Sequence, residues 1–195
     1  MSVEPGVLDA NVLVYAVNSD APQHAVSRAL LGAAGDPFVK LYVTSQILCE
    51  FYSVITNPRR VAEVCSSAQA LSVISAMLAL PGLFVLPTPS RAVAGWMQLL
   101  QRRPVTGGDV FDLQIVATMQ ANGIQRIYTF NTKDFDVFPE LAVLKPYSPS
   151  ELRTAREAAV DRSRRSQPQY PPHNSSRPAV GIQPCAAASQ AGPHG

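Results

Sequence analysis

Histidine and cysteine are nearly absent from this sequence, with three of each in 195 residues. The cysteines, Cys49, Cys65 and Cys185, are odd in number and widely spaced, and no C-x-x-C or Cys/His zinc pattern accompanies them. That argues against a disulfide framework and against a zinc site. It favours a reducing, cytoplasmic compartment in which Cys49 and Cys65 act as small apolar packing groups. Charge is scarce too, at 15% of residues against a usual value of about 25%. Acids are therefore few, and each one set in apolar sequence needs a physical reason. Long hydrophobic runs are also missing. The most apolar window, Val73 to Leu86, is broken by Ser75, Pro81 and Gly82 and is too short to span a bilayer. The opening MSVEPG lacks the basic and apolar regions of a signal peptide. No membrane role is expected.

The net charge of +2 is unevenly spread. Up to residue 150 there are ten Lys+Arg against eleven Asp+Glu, and from Glu151 onward six Arg against three acids. The first part is thus no general magnet for nucleic acid. Any RNA it holds must be held by local Arg or Lys groups and by metal.

What is present is an alternation of apolar strands and helix-length connections. Gly6-Val7-Leu8, Leu41-Tyr42-Val43, Leu83 to Leu86, Arg126 to Phe130 and Val143-Leu144 read as short strands. Helices are expected over Ala10–Ala16, Gln23–Gly35, Ser45–Ile55, Ser67–Leu80, Ser90–Arg103 and Asp109–Asn122, with Ser45, Ser90 and Asp109 as caps. Such alternation argues for an α/β domain over residues 1–149, with a central, mostly parallel sheet flanked by helices. Ligands of such sheets collect beyond the carboxyl ends of the strands. Residues 150–165 can form an Arg-rich helix. Residues 166–195, rich in Pro, Ser and Ala, cannot bury enough surface to offset chain entropy and read as a disordered tail.

Four acidic positions stand out. Asp9 follows the first strand directly, where a charge flanked by apolar sequence is costly unless paired or metal-bound; an ordinary helix cap is an equally good account of it alone. Glu50 lies within the helix Ser45–Ile55, which is otherwise nearly all apolar and offers little solvent face. Asp109 and Asp112 sit one turn apart at a helix start, after Gly107-Gly108. Capping and dipole chemistry explain both, with Asp109 the natural cap and Asp112 the better candidate ligand. Asn131, Asp134 and Asp136 follow the strand that begins at Arg126, either as a polar turn or at the same sheet edge as Asp9. If these acids converge, a hard divalent cation relieves their repulsion. Oxygen-only ligands suit Mg²⁺ or Mn²⁺ rather than Zn²⁺.

The ordered set Leu8-Asp9-Ala10-Asn11-Val12-Leu13, Glu50 in Ser45-Gln46-Ile47-Leu48-Cys49-Glu50-Phe51, Asp109-Val110-Phe111-Asp112-Leu113 and Thr129-Phe130-Asn131-Thr132-Lys133-Asp134-Phe135 resembles the PIN-domain family, specifically its VapC-type toxins. The resemblance runs from about Val7 to Pro149, and the stretch from about Ser166 departs from it. It implies a PIN-like three-layer fold and an Mg²⁺- or Mn²⁺-dependent endoribonuclease that leaves a 5′-phosphate and a 3′-hydroxyl. It further implies a homodimer held in check by a VapB-type antitoxin. The family's acidic quartet maps onto Asp9, Glu50, Asp112 and Asp134. Asp9, Asp112 and Glu50 would be the metal ligands, with Asp109, Asn131 and Asn11 as auxiliary residues. Arg59, Arg60, Arg102, Arg103 and Lys133 are candidates for the RNA backbone, against the alternative of solvated surface charge.

Two other readings compete. A haloacid-dehalogenase-like phosphatase also places an Asp after its first strand, but needs a second Asp two residues on, where this chain has Asn11. A non-catalytic PIN-like module that binds RNA or protein needs none of the four acids.

Overall fold

The computed structural model describes residues 3–146. The segments 150–165 and 166–195 lie outside the described residues. Five strands, β1 (Gly6–Leu8), β2 (Leu41–Thr44), β3 (Leu83–Leu86), β4 (Arg126–Tyr128) and β5 (Ala142–Leu144), form one sheet in the order β3-β2-β1-β4-β5. Every pairing is parallel. The connections carry α1 (Ala10–Val17), α2 (His24–Gly32), α3 (Ser45–Ile55), α4 (Ser67–Leu78), α5 (Ser90–Arg102), α6 (Val110–Ala121) and α7 (Thr132–Phe135). The expected α/β architecture is what the chain adopts.

Strand order matters more here than strand number. From β1 the chain builds outward through β2 to β3, then returns to lay β4 on the other side of β1. The carboxyl edge between β1 and β4 is therefore a topological switch point, where the flanking connections leave in opposite directions and open a crevice. Register pairs Val7 with Ile127 and Leu8 with Tyr128. The next residue on each strand, Asp9 and Thr129, consequently emerges at that crevice, and the Asp9 amide donates to the Tyr128 carbonyl at 3.0 Å.

The core explains why strands of three or four residues suffice. Val7 and Leu8 of β1, Leu41 and Val43 of β2 and Ile127 of β4 are wholly buried, joined by Leu13, Ile47 and Phe51 from α1 and α3. In α6, Leu113, Ile115, Val116, Ala117, Thr118 and Met119 are all buried, so this helix is enclosed on most sides. Gly82 shows how tightly the β3 entrance is packed. A Cβ there would lie 2.6 Å from the Asp36 carbonyl and 2.8 Å from that of Val39.

Several helix starts differ from expectation. Thr44, not Ser45, caps α3: its backbone is still extended as β2 ends, and its hydroxyl accepts from the Ile47 amide at 3.1 Å. Pro89, not Ser90, is the N-cap of α5 and supplies no side-chain bond. Asp109 ends a 3₁₀ turn (Gly107–Asp109) that enters through Gly107 at φ +62°. Its own backbone is already helical, so its carboxylate makes no cap. The segment after β4 forms α7, pinned by the buried Phe135. β4 itself stops at Tyr128 rather than Phe130, whose ring meets Tyr15 of α1 edge-on with centroids 5.3 Å apart.

The solvent face of α3 also corrects the reading of that helix. Ser45, Cys49, Glu50 and Ser53 are all exposed, while Ile47, Phe51 and Ile55 are buried. Glu50 is thus not forced into an apolar setting. Cys49 is likewise exposed rather than a packing group, whereas Cys65 packs against the core as expected. No helix among the described residues is long and apolar enough to cross a membrane.

Candidate active site

Asp9 is both helix cap and site residue, so the two sequence accounts of it are compatible. It is the N-cap of α1, and one carboxylate oxygen accepts from the Ala10 amide at 2.6 Å. The other accepts from Asn11 Nδ2 and from Thr129 Oγ1, each at 2.6 Å. The Thr129 hydroxyl in turn accepts from Asn11 Nδ2 at 3.0 Å and from the Asn131 amide at 3.0 Å. Asn11 Oδ1 accepts from the Phe130 amide at 3.2 Å. Thr129 is wholly buried, and this network satisfies its hydroxyl as one donor and two acceptors. Sequence reasoning did not single it out as a site residue. Its signal was register: it is the residue beside Asp9 once β1 and β4 are paired.

The same network reaches Asp134. The side chain of Asn131 donates to the Asp134 carboxylate, so α7 presents that acid from a loop anchored by Thr129. Asp112 stands in the first turn of α6. Glu50 comes from α3, whose Gln46 donates Nε2 to the Phe111 carbonyl at 2.8 Å. This bond ties the helix of Glu50 to the residue next to Asp112, and no sequence pattern pointed to it.

Asp9 and Asp112 both have raised carboxyl pKa values. Burial pushes the Asp9 carboxyl up to about 6; Glu50 and Asp134 push in the same direction, while the Thr129 hydroxyl and Ala10 amide oppose it. Burial raises Asp112 to about 7, reinforced by Asp134, Asp9, Glu50 and Asp109. Asp9 and Asp112 are thus both influenced by Glu50 and Asp134, and Asp112 by Asp9 as well. Asp109 is exposed and the weakest of these influences on Asp112.

The donor set is all oxygen and mutually repelling, which fits a hard divalent cation in chemistry and charge. It is not preassembled: among the described residues no three His, Cys, Asp or Glu are grouped closely enough to hold a metal ion. Of the basic candidates, Arg59, Arg60, Arg102, Arg103 and Lys133 are all exposed. Only Lys133, in α7, is a chain neighbour of a site acid. A cavity of about 170 Å³ lined by Val14, Ile55, Val61, Cys65 and Val73 includes none of the acids of this site.

Comparison with known proteins gives the family. Residues 6–141 match the PIN domain family. Over 110 residues the chain is 32% identical to Ribonuclease VapC43 of Mycobacterium tuberculosis and to VapC ribonuclease Mb2897 of Mycobacterium bovis, spanning 56% of this chain and 75% of each relative. Among solved structures, Mycobacterium tuberculosis VapC20, a Sarcin-Ricin loop cleaving toxin, superposes with a TM-score of 0.52 at 17% identity. That match covers 68% of this chain and 94% of VapC20. A chain of VapBC2 from Rickettsia felis, bound to a DNA fragment from its promoter, gives 0.53 at 19% identity, covering 71% and 96%. These two structural likenesses bear on the fold. The chain belongs to the PIN-domain family, in its VapC ribonuclease branch.

Proposed function

We propose that the chain is an Mg²⁺- or Mn²⁺-dependent endoribonuclease acting as the toxin of a toxin–antitoxin pair, with Asp9, Glu50, Asp112 and Asp134 as its catalytic acids. The observation that carries this reading is the hydrogen-bond network at the β1/β4 switch point, in which Thr129 and Asn11 hold Asp9 and Asn131 holds Asp134. Asp9 and Asp112 would hold the cation, with Glu50 completing the site directly or through water. The bound ion supplies Lewis acidity and a water of lowered pKa. The chain's own contribution is orientation. Thr129 and Asn11 occupy one Asp9 carboxylate oxygen and the Ala10 amide takes one lone pair of the other, leaving one lone pair of that second oxygen for a ligand. Asn131 steadies Asp134, which positions the attacking water or a second ion. Asp109 adds negative charge at the rim. Lys133 is the best placed cation for the RNA backbone, and Arg59, Arg60, Arg102 and Arg103 extend that surface. By resemblance, the partners are a VapB-type antitoxin and a second copy of the chain, in the cytoplasm.

The binding-only module retains one observation in its favour, the lack of a preassembled three-acid group among the described residues. Cleavage of RNA by the purified protein separates the two. The nuclease reading expects Mg²⁺- or Mn²⁺-dependent cleavage that is abolished by chelator and lost in Asp9→Asn and Asp112→Asn. Full cleavage by either variant would overturn the site, and RNA binding without cleavage would favour the module.

A further inference from the structure

Gln46 is a polar residue on the first turn of α3, half-buried, and its amide spans to the Phe111 carbonyl at 2.8 Å across 65 positions of chain. Two further facts give that bond a consequence. Gln46 lies four residues before Glu50, hence on the same side of α3. Phe111 directly precedes Asp112 in the first turn of α6, where backbone position sets where the next side chain emerges. One hydrogen bond therefore couples the helix carrying one candidate acid to the helix start carrying another.

α3 is tied to α4 by the Tyr52 hydroxyl, which donates to Ser67 Oγ at 2.9 Å, and to the core by packing that includes Leu48, Tyr52 and Val54, whereas its side-chain hydrogen bond to α6 is that of Gln46. Its buried contacts are Ile47, Phe51 and Ile55, spaced along one stripe, and apolar packing is non-directional. Glu50 is itself exposed and has no hydrogen-bond partner on the protein among the described residues. A small roll of α3 at its first turns would move Glu50 relative to the start of α6. The directional amide-to-carbonyl bond opposes that roll.

We propose that Gln46 is a positioning residue, a strut between α3 and α6 that sets the spacing of Glu50 and Asp112. It touches neither substrate nor ion and acts through Glu50. The inference rests on the nuclease reading, and its test is built to fail separately from it.

The test is a double-mutant cycle read by steady-state RNA cleavage and by calorimetric Mn²⁺ titration. Gln46→Met keeps the length of the side chain and removes the donor; Gln46→Ala is the second variant, favoured at a helical position. Loss of an outer partner of a metal-site residue typically costs about 10- to 100-fold in affinity or activity. Gln46→Met should accordingly lower kcat and weaken Mn²⁺ binding about tenfold, with KM for RNA unchanged. In a Glu50→Gln background the same change should cost less than about twofold, because residues acting through one another are not additive. Wild-type values in Gln46→Met and Gln46→Ala overturn the proposal, as does an equal loss in both backgrounds or a loss confined to KM. If wild type binds Mn²⁺ but cleaves no RNA, the nuclease reading fails and the binding arm still decides the strut. If it neither binds nor cleaves, both are rejected.

Discussion

Thr129 donates its hydroxyl proton to the Asp9 carboxylate at 2.6 Å, joining residues 120 positions apart in the chain. The same oxygen accepts from Asn11 and from the Asn131 amide, so one buried hydroxyl holds the strand-end acid and anchors the loop that bears Asp134. Thr129→Val should remove one donor to the Asp9 carboxylate and the acceptor of the Asn131 amide, at a cost of about 1–3 kcal/mol. That corresponds to a fall in Tm of roughly 2–4 °C per kcal/mol. Cleavage should fall at least tenfold, while Thr129→Ser stays near wild type in both. Calorimetric melting beside a cleavage assay checks this, and a valine variant that melts and cleaves like wild type contradicts it.

The raised carboxyls predict an unusual pH dependence. In the unfolded chain these aspartates titrate near 3.8; in the folded protein Asp9 does so at about 6 and Asp112 at about 7. The native state therefore binds more protons between those values, and linkage makes stability fall as pH rises through the window from about 4 to about 7. Ion-free protein should melt at a lower temperature at pH 7.5 than at pH 5. Added Mn²⁺ should restore stability at pH 7.5 and do much less at pH 5, where protons compete for the same oxygens. A melting temperature that climbs with pH in chelator would count against the pocket.

Removing a repelling charge should trade activity for stability. Asp112→Asn retains the shape of the side chain and relieves its repulsion with Asp134, Asp9 and Glu50. The ion-free variant should melt several degrees above wild type at pH 7.5 and lose cleavage. Thermal melts in chelator, paired with RNA gels, show whether the two effects go together.

Packing and chemistry separate at Gly82. An alanine Cβ there meets the Asp36, Val39 and Ala34 carbonyls at 2.6–2.9 Å, and backbone oxygens cannot rotate away as a flexible side chain can. Overpacking of this kind costs about 1–3 kcal/mol. Gly82→Ala should lower the denaturant midpoint while kcat, measured where the protein remains folded, is unchanged.

The parts of the site legible in sequence are those written in local pattern. Asp9 ends an apolar run and Asp112 opens an apolar helix, so strand and helix signals alone bring them to element ends, and parallel topology does the rest. What could not be read is what depends on register or on contacts between distant segments. Thr129 looks like any strand residue until β4 is set beside β1. The Gln46–Phe111 bond joins two helices whose relative rotation no periodicity reports. The apolar neighbours of Glu50 in sequence suggest a helix with little solvent face, whereas Ser45, Cys49 and Ser53 give α3 one. α7 escaped notice because four residues are too few for a helical period, and its existence depends on the tertiary burial of Phe135.

Under the proposed function, side chains from β1's end and α6's start share one divalent ion. Anomalous diffraction from crystals grown with Mn²⁺ tests it most directly. The expected result is an anomalous peak within coordinating reach of both the Asp9 and the Asp112 carboxylates. A peak elsewhere on the surface, or none at saturating Mn²⁺, contradicts it.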